Sequence, residues 1–208
     1  MKILFENPSL VIAVKPVGVL SEDAGEGSMV YELRLATGSD IYAVHRLDRA
    51  VGGVMAYAKT KDAAAALSRE GALRKEYVAA VHGVTDDEGE MRDLLFKDSR
   101  SNKSYVVKRM RRGVKEAALT YKTLERKEGI SLVSVELLTG RSHQIRVQFA
   151  SRRHPLVGDG KYGASDGCPV ALFCATIEAT IGNETVSAHD VPDNTVYPWN
   201  LFDTLKEG

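Results

Sequence analysis

Asp48 stands between two arginines in Tyr42-Ala43-Val44-His45-Arg46-Leu47-Asp48-Arg49, and a glycine pair follows at Gly52-Gly53. Arginine keeps its charge at any physiological pH and favours the ionised form of a nearby carboxylate. An ionised, positioned carboxylate can act as nucleophile or base. Glycines beside it let a backbone or a ligand come close. On spacing alone a surface Arg-Asp-Arg ion cluster is the commoner outcome, because such clusters are frequent and energetically minor.

A second segment, Arg74-Lys75-Glu76-Tyr77-Val78-Ala79-Ala80-Val81-His82-Gly83, puts Tyr77 in a strand-like run. A strand tyrosine is usually a packed aromatic with a wet hydroxyl; it can also stack on a base or orient a carboxylate. The third segment is Thr139-Gly140-Arg141-Ser142-His143-Gln144-Ile145-Arg146-Val147-Gln148-Phe149. A turn followed by a helix would set Arg141, His143, Gln144 and Arg146 beside a positive helix N-terminus, which suits a phosphate. His154-Pro155-Leu156-Val157-Gly158-Asp159-Gly160-Lys161-Tyr162-Gly163 follows as a Gly-rich loop without the phosphate-loop consensus. The five histidines lack metal-ligand spacing and read as structural. No serine nucleophile elbow or dinucleotide fingerprint occurs. Cys168 and Cys174 are neither a redox pair nor half a zinc knuckle, and read as small buried residues.

Local patterns suggest the elements that would carry these groups. Leu10 to Val14 reads as a strand closed by a turn at Pro16-Val17-Gly18. Ser28 to Ala36 reads as a helix capped by Ser28, and Lys61 to Arg69 as an Ala-rich helix stopped near Gly71. Gly53 to Lys59, Glu76 to Val81, Ser104 to Met110, Ala117 to Leu124 and Ile130 to Leu138 read as strands. Ser142 to Arg152 reads as a helix with a cationic side. Ala171 to Phe173, Ala175 to Thr180 and Thr185 to Ala188 close the chain as short strands. The expected fold is α+β on a mixed, mainly antiparallel central sheet with flanking helices and loops, in a single domain over 1–208.

Composition narrows the class. A hydrophobic fraction of 44% with 27% charged residues is that of a soluble globular chain. No apolar run approaches spanning length and no signal peptide is evident, so the expected location is the cytoplasm, with no membrane partner. The 28 basic residues balance the 28 acidic ones, which argues against indiscriminate coating of nucleic acid. The charge is uneven, however. Residues 97, 100, 103, 108, 109, 111, 112 and 115 are all Lys or Arg, against the single acid Asp98. Such a run is either a solvated face or an RNA-binding one.

Taken in order, these motifs resemble the RluA-type family of RNA pseudouridine synthases. Lys15-Pro16-Val17-Gly18 resembles its opening turn, and His45-Arg46-Leu47-Asp48 matches its catalytic motif. Lys75-Glu76-Tyr77 with Gly83 matches its tyrosine motif. Gly140-Arg141-Ser142-His143-Gln144-Ile145-Arg146 with His154-Pro155 and Gly158-Asp159 matches its closing motif. After the aspartate the family usually reads Thr-Ser-Gly, where this chain has Val51-Gly52-Gly53.

The resemblance implies that Asp48 is the nucleophile toward a uridine in ribosomal or transfer RNA, and that the base detaches, rotates and reattaches through carbon. Tyr77 would pack on the target base, and Arg146 would pair with and orient Asp48. Arg46 would fill the space left by a flipped nucleotide, since a stacked base must leave the helix before chemistry. Neither metal nor organic cofactor is implied. His45, Arg49, Arg141, His143, Lys108, Arg109, Arg111 and Arg112 are the expected RNA contacts. The motifs begin within twenty residues of Met1, so the S4-type RNA-binding domain of many relatives is expected to be absent, and a monomer is the simplest state. Two other classes compete: an RNA-binding module that has lost catalysis, and a glycosidic hydrolase, which would want a second carboxylate beside Asp48.

Overall fold

A computed structural model describes residues 1–206, which form eleven strands, three α-helices and one 3-10 turn. In chain order these are β1 (Lys2–Glu6), β2 (Leu10–Lys15), α1 (Met29–Thr37), β3 (Tyr42–Ala43), β4 (Gly52–Ala58), α2 (Lys61–Leu67), β5 (Leu73–His82), β6 (Glu88–Asp98), β7 (Lys103–Val107), β8 (Val114–Lys127), β9 (Ile130–Leu137), α3 (Gln144–Ser151), β10 (Leu172–Ile181) and β11 (Glu184–His189), then the 3-10 turn Trp199–Leu201. The strand pairs β1–β2, β2–β4, β3–β4, β6–β7, β6–β8, β8–β9 and β10–β11 are antiparallel, and β4–β10 is parallel. The expected α+β class with a mixed, mainly antiparallel sheet is therefore the class observed.

The chain folds as two compact units. Unit 1 comprises Met1–Glu76 and Phe173–Pro192, with strand order β1-β2-β4-β10-β5. Unit 2 comprises Tyr77–Leu172 and Asp193–Gly208, with strand order β5-β9-β8-β6-β7. Strand β5 begins in the first and continues into the second.

In unit 1, β2 and β4 are almost wholly buried, which explains their unbroken apolar runs. Leu10, Ile12, Val54, Ala56 and Ala58 pack with Ala63 and Leu67 of α2 and Ile177 of β10. The caps follow local chemistry. The Ser28 hydroxyl accepts the Tyr31 N–H, and Gly38 closes α1 in the left-handed region at φ 64. The Thr60 hydroxyl accepts the Ala63 N–H at the start of α2.

Gly53 shows why the glycine pair is there. Its φ is 131, and a Cβ would stand 2.4 Å from the Cys174 nitrogen. The backbone that needs this closeness is β10, whose Phe173 and Cys174 pair with Gly52 and Gly53. Val51, which stands where the family carries threonine, is 2% exposed; a valine suits that apolar burial.

The segments at 171–173 and 175–180 are one strand, β10. Strands β1, β3 and β6 were not expected. Helix α3 has no cationic side: every residue from Gln144 to Phe149 is buried, Arg146 included. Cys174 is buried as expected, but Cys168 is partly exposed.

Candidate active site

Asp48 lies in the loop from β3 to β4 in unit 1, and local ties hold that loop at several points. The Val51 N–H donates to the Asp48 carbonyl at 2.9 Å, which makes the turn tight. The Ser21 hydroxyl donates to the Leu47 carbonyl at 3.0 Å and accepts the Leu47 N–H at 3.1 Å. The Gly18 N–H donates to the Arg49 carbonyl at 2.7 Å, and Arg49 Nε donates to the Gly18 carbonyl at 2.8 Å. His45 Nε2 accepts the Ala56 N–H at 3.1 Å. The residues on either side of Asp48 are thus fixed to the Lys15–Ser21 turn and to β4, the preorganisation that a positioned carboxylate needs.

Lys15 closes that turn from within. It is fully buried, and its Nζ donates to the Pro16 and Val19 carbonyls, both at 2.9 Å. Burial lowers its pKa to about 8, and the negative charge of Asp48 raises it in part. Lys15, from the opening turn, is thus a cation that responds to Asp48, a role that no sequence pattern assigns to it. The flanking arginines have other partners as well. Arg46 donates to Glu22 at 3.0 Å across exposed surface. Arg49 serves the Gly18 carbonyl. Burial, aided by the positive charge of Lys75, holds His45 at about 3, so its ring is neutral. Neutral His45, one of the expected RNA contacts, accepts a backbone N–H through Nε2 and so fixes the loop.

Tyr77 and Arg146 both lie in unit 2. Tyr77 is a buried residue of β5. Arg146 is 5% exposed and makes a two-pronged ion pair with Asp159: Nε to Oδ2 at 2.6 Å and Nη2 to Oδ1 at 2.7 Å. Asp159 is fully buried. Asp159 belongs to the Gly-rich loop that the sequence suggests for a ligand, and its pairing with Arg146 is legible in the fold. The signal available was a lone acid in a basic, Gly-rich stretch.

The polar residues around α3 act inward. Gln144 Oε1 accepts the Arg141 N–H at 3.0 Å and the Thr139 hydroxyl at 2.8 Å, while its Nε2 donates to the Ala118 carbonyl at 3.0 Å. Its amide shapes the 139–141 turn, so the expectation that it faces a phosphate is corrected. Arg141 is partly exposed and its Nε donates to the Glu116 carbonyl. His143 caps the helix in the left-handed region at φ 54 and contacts the Tyr162 hydroxyl through Nδ1 at 2.9 Å.

The basic stretch is the end of β6, a turn, β7, and the loop into β8. Lys97, Arg100, Lys108, Arg109, Arg111, Arg112 and Lys115 are exposed, and Lys103 is half-buried. Tyr105 and Met110 are exposed among them, and Arg111 lies 4.9 Å over the Phe96 ring. Edge strand β7 is guarded by these charges. The same concentration of cations beside an aromatic suits a polyanion with stackable bases.

A family model described as RNA pseudouridylate synthase matches residues 9–151, more than half of the chain. Ribosomal large subunit pseudouridine synthase C of Buchnera aphidicola subsp. Baizongia pistaciae is 37% identical over 171 residues, 77% of this chain and 53% of that protein. Ribosomal large subunit pseudouridine synthase D of Nitrosomonas europaea is 32% identical over 216 residues, 97% of this chain and 57% of that protein. The chain spans little more than half the length of these curated relatives. Among solved structures, Human RNA Pseudouridylate Synthase Domain Containing 1 superposes with a TM-score of 0.79 at 22% identity, covering 95% of this chain and 85% of that one, which is a likeness of fold.

Proposed function

The chain belongs to the RNA pseudouridylate synthase family, and on that premise we propose that it isomerises a specific uridine in RNA to pseudouridine. Asp48 is the nucleophile, and the target nucleotide is flipped out of its stack. The observation that carries this reading is the loop around Asp48. The Asp48 carboxylate sits between residues stapled on both sides, and its charge raises the pKa of buried Lys15 in part.

Tyr77 packs on the base that detaches and turns. Arg146 supplies the guanidinium that orients the nucleophile, and its own orientation is supported by the bidentate Asp159 contact. Arg46 fills the stack after flipping; its exposed pair with Glu22 is a weak tie that an RNA phosphate can replace. Large-subunit ribosomal RNA is the favoured substrate class, because the relatives above carry that designation; transfer RNA is the alternative. The exposed cations from Lys97 to Lys115 hold the RNA backbone. A cytoplasmic monomer without metal or organic cofactor completes the reading.

The test is genetic and chemical together. Replacing the chain by its Asp48→Ala form should erase pseudouridine at its target while the purified variant keeps the wild-type circular dichroism and melting profile. Unchanged pseudouridine throughout the ribosomal and transfer RNA of that strain would remove the enzymatic reading in favour of a binding module.

A further inference from the structure

We propose that Tyr162 is a positioning residue that joins the basic strand β7 to the start of α3 through its hydroxyl and holds Arg146 through its ring. This rests on the reading that Arg146 serves catalysis and that the stretch around β7 binds RNA. All the groups involved belong to unit 2.

The hydroxyl accepts the Ser104 N–H at 2.9 Å, donates to the Ser104 carbonyl at 3.2 Å and meets His143 Nδ1 at 2.9 Å. A phenol has one proton to give and can accept two. All three contacts are satisfied together when His143 carries its proton on Nδ1 and donates it to the phenolic oxygen. Ser104 adds a second tie, since its own hydroxyl donates to the Ser142 carbonyl at 2.7 Å. Ser104 is 2% exposed although Tyr105 and Val106 beside it face solvent. The outer strand of the sheet is therefore pinned at Ser104 to the residues that begin α3.

The ring does separate work. The Arg146 guanidinium carbon lies 5.3 Å from its centroid and Lys103 Nζ 5.1 Å, both within range of attraction to an aromatic face. The His143 ring meets it edge-on at 5.8 Å and 88°. The Tyr162 N–H donates to the Asp159 carbonyl at 2.9 Å, so one turn supplies both the carboxylate and the ring that hold Arg146. A tyrosine present only to fill the cluster of Leu95, Ala117 and Val147 would need neither set of polar contacts.

Two substitutions separate the functions. Tyr162→Phe keeps the ring and loses the hydroxyl, whereas Tyr162→Leu keeps apolar bulk and loses both. The full chain is assayed under single turnover on unmodified large-subunit ribosomal RNA transcribed in vitro, alongside amide hydrogen exchange at Ser104. Tyr162→Phe should raise the half-saturating RNA concentration about tenfold, leave the saturated rate near wild type, and speed Ser104 exchange by a similar factor. Tyr162→Leu should in addition lower the saturated rate about tenfold. Equal saturated rates for the two variants overturn the role of the ring. Ser104 exchange and half-saturation unchanged in Tyr162→Phe overturn the role of the hydroxyl. A wild-type chain that makes no pseudouridine refutes the functional reading instead, and Ser104 exchange still decides whether Tyr162 ties β7 to α3.

Discussion

Asp159→Asn is the most informative single change, because it alters charge while keeping shape. Asp159 is fully buried and takes two charged hydrogen bonds from Arg146, which is itself 5% exposed. The asparagine leaves one acceptor for two guanidinium donors and turns an NH2 group toward a cation. A buried ion pair broken by neutralising one member costs up to about 3–5 kcal/mol. For a chain of this length that corresponds to a fall in Tm of about 10 °C. The Tyr162 ring remains over the guanidinium and softens the loss without removing it. Thermal and urea unfolding of the purified variant measure the effect. A double variant, Arg146→Met with Asp159→Leu, should recover most of the stability, because apolar residues of similar volume often replace a buried pair at little cost. It should form no pseudouridine, since the orienting guanidinium is gone. A loss below about 1 kcal/mol in Asp159→Asn, or a double variant no more stable than the single one, would refute the account of this pair as a coupled buried unit.

Lys15 gives a prediction in pH. Its folded pKa is about 8 against 10.5 when exposed, so between those values the unfolded chain binds a proton that the folded chain does not. Stability should therefore rise with pH through that window, by up to about 3 kcal/mol from this group. Lys15→Met should lose that rise; urea midpoints at both ends of the window check it, and a rise equal to wild type would assign the effect elsewhere. Gly53→Ala puts a Cβ 2.4 Å from the Cys174 nitrogen at φ 131, so it should cost at least about 3 kcal/mol, read as loss of the cooperative melt. Arg109→Ala combined with Arg111→Ala should weaken RNA binding and reduce the slope of log K against log salt by about 1.5; an unchanged slope removes the loop between β7 and β8 from the interface.

Much of the architecture was written locally. Leu10 to Val14, Ala117 to Leu124 and Ile130 to Leu138 carry apolar patterns that suit one strand each, and structure places β2, β8 and β9 there. Ser28 marks the cap of α1 because a hydroxyl before a helix satisfies an N–H that would otherwise go unpaired. Strand β6 escaped notice for a physical reason. Its buried apolar side chains are Met91 and Leu95, four residues apart, which is a helical spacing. What makes it a strand is pairing with β8 on one side and β7 on the other, and no local pattern encodes that.

The candidate site divides in the same way. The sequence by itself determined which side chains are present and their order: an aspartate between arginines, a tyrosine in a strand, and a Gly-Arg-Ser-His-Gln-Ile-Arg run. Those short motifs were enough to point to the family, because they keep their order along the chain. Only the tertiary structure decided what each group faces. It paired Arg46 with Glu22, put Lys15 where it feels Asp48, and turned Gln144 and Arg146 inward. It also joined Arg146 to Asp159, thirteen residues away. Charge and hydrogen-bonding capacity belong to a residue type, but partners are chosen by burial. Inside a fold each polar group must find a donor or acceptor wherever packing places one, and that choice is non-local.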